Sequence, residues 1–202
     1  MTEWLEVSGG NVIDAQKAII RRDAVTRRDA IPAAERAKAA ETIAAQAFPL
    51  TITPGTIVSG FSPLKTEINP LPLMRKLAAA GPTLALPVVQ GRGKPLIMRA
   101  WSFGAPLVSG VWGIREPGPD APEVFPDIML VPLAAFDRAG HRIGYGAAYY
   151  DMTIARMRAM KPVIAIGLGF AAQEAGKIPV EPHDARLDLV LTEREIIDFR
   201  RP

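Results

Sequence analysis

The sequence predicts an α/β protein of three layers, in which helices cover both faces of a mostly parallel sheet and a helical segment stands at the N-terminal side. Short apolar, β-branched runs recur at 56–61 (TIVSGF), 83–89 (TLALPVV), 127–132 (DIMLVP), 163–168 (VIAIGL) and 187–191 (LDLVL). Helical patterns fall between several of them, and strands alternating with helices build parallel sheets. The runs are nearly continuous in apolar character, as strands covered on both faces must be. At 202 residues the chain suffices for one sizeable core, so residues 1–202 are expected to form a single domain.

Taken in order, residues 13–30 read as a helix whose apolar stripe includes Ile13, Ile20 and Ala24. Lys17, Arg21 and Arg28 share one edge of that stripe, which places their cationic heads where core meets solvent. By itself that pattern describes side chains snorkelling from a surface helix. Pro32 suits the first position of a second helix reaching about residue 48. The strand at 56–61 is closed by Ser62-Pro63; Thr66-Glu67 then opens a helix to about residue 80, stopped by Gly81-Pro82. After the strand at 83–89, residues 96–101 read as a strand lying antiparallel at an edge. Residues 102–126 are rich in Gly and Pro without a period and read as loop. The strand at 127–132, a helix from about 146 to 160, and the strands at 163–168 and 187–191 complete the chain. No internal repeat is present.

Composition narrows the function. Hydrophobic residues make up 49% and charged residues 22%, an ordinary globular balance. The net charge of +3 is mild, and Asp23 and Asp29 interrupt the densest basic cluster of Arg21, Arg22, Arg27 and Arg28, which argues against nucleic-acid binding. With no cysteine and only His141 and His183, a disulfide framework, a thiolate nucleophile and the usual Cys/His zinc sites are excluded. The polar, glycine-containing start does not read as a signal segment, and no apolar run approaches the roughly 20 residues that span a bilayer. A soluble, cytoplasmic protein is expected.

Polar or glycine-rich segments follow several strands, at 62–67, 134–151, 169–173 and around His183-Asp184. Ligands of open α/β sheets collect at the carboxyl ends of strands. The richest segment is 131–151, VPLAAFDRAGHRIGYGAAYYD. Small residues at Gly144, Gly146, Ala147 and Ala148 lead into a helix, where backbone N–H groups and the helix dipole suit a phosphate, and Arg142 adds a cation. Neither the Walker pattern nor the three-glycine dinucleotide fingerprint is present. On these residues alone, a phosphate cradle and a plain tight turn are equally good readings.

The segment Arg142–Asp151 (RIGYGAAYYD), following V-P-L-A-A-F-D, resembles the signature of the 5-formyltetrahydrofolate cyclo-ligase family. Further matches lie in order: Lys17 and Arg21, Ser62-Pro63 with Glu67, Leu86-Pro87-Val88-Val89, Trp112-Gly113-Ile114-Arg115-Glu116-Pro117, Gly167-Leu168-Gly169-Phe170 with Gln173, and Ile178-Pro179 with His183-Asp184 and Leu187-Asp188. The resemblance covers about residues 14–193.

It implies ATP- and Mg²⁺-dependent cyclisation of 5-formyltetrahydrofolate to 5,10-methenyltetrahydrofolate, with release of ADP and phosphate through a phosphorylated formyl group. Carried over residue by residue, Lys17 and Arg21 are expected to contact ATP, with Arg142, Gly144, Tyr145, Gly146, Ala147, Ala148, Tyr149 and Tyr150 as the phosphate cradle. Arg142 and Tyr149 are the expected catalytic residues. Ser62, Glu67, Trp112 and Tyr149 are expected at the folate, and Asp151 and Asp184 at Mg²⁺, which favours one or two carboxylates beside phosphate oxygens and water. The expected partner is a small-molecule folate, with no nucleic acid or membrane, and the chain is expected to act as a monomer. One position departs from the family pattern: Ala148 stands where its third loop glycine stands. The expectation is that Ala148 lies inside the first helical turn, where alanine is well tolerated. Two rival readings are a relative on the same scaffold acting on another substrate, and a non-enzymatic nucleotide- or RNA-binding module.

Overall fold

Side chains of successive strand residues point to opposite faces, so an apolar run in a strand feeds two cores at once. The computed structural model, which describes residues 9–200, shows this along the whole sheet. Its elements begin with helices α1 (Gly9–Asp29) and α2 (Ala33–Ala45), strand β1 (Ile57–Ser59), helix α3 (Leu71–Ala78) and strands β2 (Thr83–Val88) and β3 (Ile97–Ala100). A hairpin of β4 (Leu107–Ser109) and β5 (Arg115–Pro117) follows, then β6 (Glu123–Val124), β7 (Ile128–Pro132) and the small hairpin β8 (Ala135–Phe136) with β9 (Arg142–Ile143). Helix α4 (Tyr149–Met160), β10 (Ile164–Leu168), β11 (Leu189–Leu191) and β12 (Ile196–Asp198) close the chain.

Eight strands form the main sheet in the order β12-β11-β10-β7-β1-β2-β3-β6. The five from β11 to β2 are parallel, and β12, β3 and β6 are antiparallel additions at the two edges. Ile128 and Leu130 of β7 pack with Ile43 of α2 and Leu73, Met74 and Leu77 of α3. Met129 and Val131 turn the other way, to Ile154 and Met157 of α4. The predicted three-layer, mostly parallel architecture is therefore present, with α2 and α3 on one face and α4 on the other. Helix α1 packs apart from these faces, setting Ala24 against Ala135, Ile143 and Ile178 beside the β8–β9 hairpin. Among the described residues, no helix is long and apolar enough to cross a membrane.

Four local expectations are corrected. The helix expected to open at Thr66-Glu67 starts at Leu71: Pro70 and Pro72 stand at its first turn, where a ring that fixes φ is favourable. Lys65 just before Thr66 is left-handed at φ 52°, so Thr66 and Glu67 lie in a turn. The stretch 102–126 contains the β4–β5 hairpin and β6, whose pairing comes from contacts distant in sequence rather than from its own period. The edge expected at β3 is occupied by β6. Ala148 is not inside a helical turn but stands at the N-cap of α4 with φ 51° and ψ 17°.

The chain runs outward from β1 through β2 and β3, then returns to β7 on the other side of β1 and continues outward through β10 and β11. The strand order thus reverses between β1 and β7, and the crevice outside their carboxyl ends is where such sheets bind ligands. Residues 60–62 leave β1 there and residues 132–134 leave β7. The turn after β8 is fixed by Asp137, a buried carboxylate that accepts the backbone N–H groups of Ala139, His141 and Ile178.

Candidate active site

A cleft of about 360 Å³ opens at that reversal point. Phe61 and Ser62 beyond β1, Pro87 and Val89 at and beyond β2, and Pro132 of β7 form its floor, and Tyr149, Tyr150 and Trp112 supply aromatic walls. Of the site residues predicted from sequence, Ser62, Glu67, Trp112, Arg142, Gly144, Tyr145, Ala147, Ala148, Tyr149, Tyr150 and Asp151 all line this one cavity. Arg21 bonds the Gly144 carbonyl of the lining loop, which also contains Gly146, while Asp184, bonded to Lys17, lines a neighbouring pocket that shares Ala148 and Asp151 with the cleft. An apolar slot with a few convergent polar groups suits a flat, partly polar small molecule.

The loop at 144–148 turns through two left-handed residues: Gly146 at φ 92°, which suits glycine, and Ala148 at φ 51°, which strains an alanine. No side chain caps the start of α4, since its N-cap is an alanine, and the first-turn acid, Asp151, is paired with Arg142. The first N–H groups of a helix lack partners within it, so this end presents donors and the positive end of a dipole to the cleft. Arg142 lies beneath the loop with 3% of its side chain exposed. One of its Nη atoms donates to Asp151 Oδ1 at 2.9 Å, while its Nε is buried without a hydrogen-bond partner. A buried guanidinium N–H without an acceptor is costly, and an anion in the loop is the partner this geometry lacks.

Helix α1 lays its basic edge along the same site. Arg21 Nε donates to the Gly144 carbonyl at 2.6 Å and steadies the loop. Arg28 donates to the Tyr145 hydroxyl. Lys17 is buried rather than at a solvent boundary, donating to Glu181 Oε2 at 2.7 Å and to Asp184 Oδ2 at 2.6 Å. Burial works against its charge, but the bonds to Asp184 and Glu181 outweigh this and hold its pKa above the ordinary lysine value.

Asp151 and Asp184, which sequence places at one metal, are close together: Asp151 Oδ1 accepts the N–H of Ala185 at 3.0 Å. Each carboxylate spends one oxygen on a cation, Asp151 on Arg142 and Asp184 on Lys17, and keeps its other oxygen outside these pairs. Glu181, His183 and Asp184 have ligand atoms within 4.8 Å of one another, but the Lys17 ammonium already bonds two of the three. Carboxylates of this kind beside a phosphate loop are the donor type that a hard divalent cation prefers. Glu181 carries no family signature, and its proximity to Lys17 is legible only in three dimensions.

On the opposite wall, Glu67 Oε2 accepts the Leu64 N–H at 2.7 Å. Burial raises the pKa of Glu67 above the usual glutamate value, against the bond from the Leu64 N–H, the nearby Tyr145 hydroxyl and the charge of Arg28. Burial also raises the pKa of Tyr145 and Tyr150, so both hydroxyls stay protonated donors at neutral pH. Ser62 Oγ donates to the Arg115 carbonyl at 2.6 Å, tying the β1 end to the β4–β5 hairpin. At that hairpin's tip Trp112 is left-handed at φ 56°, 70% exposed, and 6.0 Å from the Tyr149 ring. Lys65, Trp112 and Ala148 are the positive-φ residues other than glycine among those described, and two of them line the cleft. Strained backbone of this kind concentrates at ligand sites.

Residues 13–193 match the model of the 5-formyltetrahydrofolate cyclo-ligase family. The chain is 35% identical over 155 residues to the 5-formyltetrahydrofolate cyclo-ligase of Mycolicibacterium smegmatis, covering 72% of this chain and 78% of that protein. It is 30% identical over 148 residues to the Escherichia coli enzyme of the same name, covering 70% of this chain and 80% of that protein. Among solved structures it resembles Aquifex aeolicus 5,10-methenyltetrahydrofolate synthetase with a TM-score of 0.76 and 25% identity, over 92% of this chain and 94% of that one. The 5,10-methenyltetrahydrofolate synthetase of Mycoplasma pneumoniae shares the fold, with a TM-score of 0.66 and 18% identity over 88% and 98% of the two chains. The signature loop, the cleft at the strand reversal and these likenesses agree: the chain is an enzyme of the ligase class and belongs to the 5-formyltetrahydrofolate cyclo-ligase family.

Proposed function

We propose that this chain cyclises 5-formyltetrahydrofolate to 5,10-methenyltetrahydrofolate and converts ATP to ADP and phosphate as it does so. The observation that carries this reading is Arg142, buried with an unpartnered Nε under an uncapped helix start, beside an aromatic-walled slot. Anion and flat ring would then meet at one place.

The chemistry demands such a meeting. An amide oxygen leaves poorly, so the N5-formyl oxygen must first receive the γ-phosphoryl group, with ADP departing. N10 then attacks the activated carbon, the C–O bond breaks, and phosphate leaves with the former formyl oxygen and the N10 proton. The protein's share is positioning and charge neutralisation. Arg142 and the first N–H groups of α4 offset charge on the transferring phosphoryl group, and Arg21 keeps their loop in place. Tyr149 and Trp112 flank the pterin ring, and the Glu67 carboxylate accepts hydrogen bonds from its amide-like edge. Asp151 and Asp184 would hold Mg²⁺, which supplies charge neutralisation at the phosphates when bound.

Ala148 bears on the rival reading of a relative with a different substrate. It takes the left-handed backbone that a glycine would take, which supports an unaltered loop. Arg142→Met tests the assignment: ATP affinity measured by calorimetry should fall about tenfold or more, the value of a charge-assisted contact. Unchanged affinity would remove Arg142 from the phosphate site.

A further inference from the structure

Tyr145 belongs by its backbone to the loop at 144–148, yet its side chain leaves that loop. Its ring is half exposed while its hydroxyl turns inward, accepting a hydrogen bond from Arg28 and lying on the Glu67 side of the cleft that both residues line. Arg28 is almost wholly buried, and its Nε and one Nη also reach Asp29 Oδ1 at 3.2 and 3.1 Å. Asp29 in turn accepts the hydroxyl of Thr66, the residue before Glu67. The last turn of α1 therefore grips the 64–67 turn through Asp29–Thr66 and holds the Tyr145 hydroxyl, through Arg28, on the Glu67 side of the cleft.

We propose that Arg28 and Tyr145 are positioning residues that aim the Glu67 carboxylate into the cleft and link the anion loop to the folate wall. The inference rests on the reading of Glu67 as a folate contact and extends it to Arg28, which the family signature leaves without a part, and to the side chain of Tyr145, whose backbone alone belongs to the expected phosphate cradle. The geometry is a directed chain: a guanidinium that can only donate, a hydroxyl that accepts and donates, and a carboxylate that can only accept. Glu67 lies in a turn with a left-handed neighbour, Lys65, and its own bond to Leu64 fixes one oxygen. The nearby Tyr145 hydroxyl supplies the second restraint. Because Tyr145 sits between Gly144 and Gly146, a ligand that orders the loop also orders Glu67.

The charged and titratable groups acting on Glu67 are Arg28 from α1, Tyr145 from the loop and Tyr150 from α4. Removing the Tyr145 hydroxyl takes away a donor that favours the ionised carboxylate. The test is steady-state kinetics against pH for Tyr145→Phe, Glu67→Gln and the double variant, with Arg28→Lys as a fourth. Tyr145→Phe removes one oxygen from a half-exposed ring and leaves the fold in place, so it carries the result if a change at buried Arg28 prevents folding. Expected are a KM for 5-formyltetrahydrofolate raised about tenfold in Tyr145→Phe, a KM for ATP within about twofold of the parent, and an acid limb moved to higher pH. The double variant should be no worse than Glu67→Gln alone, because both changes break one chain. Effects of Tyr145→Phe and Glu67→Gln that add, or a change confined to the KM for ATP, would overturn the inference and leave Glu67 at the folate. A normal folate KM in Glu67→Gln would overturn the reading of Glu67 itself, and the positioning role with it.

Discussion

Lys17 of α1 and Asp184, far apart in sequence, form a hydrogen-bonded ion pair of 2.6 Å between Nζ and Oδ2, with Glu181 completing the cluster at 2.7 Å. The lysine that family likeness assigns to ATP is thus also a partner of the carboxylate assigned to Mg²⁺. A phosphate entering here meets a cation already balanced by two acids, so the cluster must share Lys17 between them.

Lys17→Met should therefore cost stability as well as nucleotide affinity. Leaving two carboxylates without their donor is expected to destabilise the protein by about 2 kcal/mol, the range for hydrogen bonds to charged groups. The raised Lys17 pKa gives a sign to the pH dependence: its contribution is complete below the unfolded lysine value and is lost as pH rises through the folded one. Thermal unfolding between neutral pH and strongly alkaline pH should show the parent falling towards the variant. Parallel curves would place Lys17 outside the stabilising pair.

Ala148→Gly should stabilise. An L-residue with left-handed φ costs on the order of 1–2 kcal/mol, part of which glycine's greater unfolded entropy returns. A net gain of about 0.5–1 kcal/mol corresponds to a rise of about 1–4 °C in Tm for a chain of this size. Activity should stay within about threefold, since the loop already has the glycine-like shape. A lower Tm would mean that residue 148 is helical.

Much of this was legible in the sequence, for physical reasons that particular residues illustrate. Two-face burial made the strands at 128–132 and 164–168 apolar throughout, and the spacing of Lys17, Arg21 and Arg28 placed them on one helix edge, whose side chains reach Glu181, the Gly144 carbonyl and the Tyr145 hydroxyl. Thr66-Glu67 misled because an acid after a threonine looks like a helix start, while Pro70 and Pro72 set the real one. The strands of the β4–β5 hairpin have three residues each, too few for a period to register. The Lys17–Glu181 and Arg28–Tyr145 contacts join distant segments, and pair identity across such distances leaves no local pattern.

Asp151→Asn and Asp184→Asn should each raise the Mg²⁺ concentration required for half-maximal activity by about tenfold, because each removes one of the two carboxylates proposed to hold the ion. Their effects on stability should differ. Asp151 neutralises the buried Arg142 and accepts the Ala185 N–H, so Asp151→Asn also loosens the loop, whereas Asp184 leaves Lys17 with Glu181. Titration of activity with Mg²⁺ at fixed ATP reads the first effect, and thermal unfolding reads the second. Parent-like Mg²⁺ dependence in both variants would mean that ATP alone carries the metal.

Glu67→Gln should remove the acid limb of the folate kcat/KM profile. Burial raises the Glu67 pKa, so the carboxylate takes a proton at a higher pH than an ordinary glutamate. Folate affinity that depends on the ionised form is therefore lost as pH falls through that raised value, and an amide cannot titrate. The profile measured from pH 5 to 8 should lose its acid limb in the variant; an identical limb in both proteins would assign it to another group.

The central claim is tested most directly by mixing purified protein with 5-formyltetrahydrofolate, ATP and Mg²⁺, and following methenyltetrahydrofolate absorbance and ADP in the same reaction. The account requires the two products to appear together in a ratio of about one to one, with neither formed when folate or ATP is omitted. ADP released without the methenyl product, or no turnover from folded protein, would contradict it.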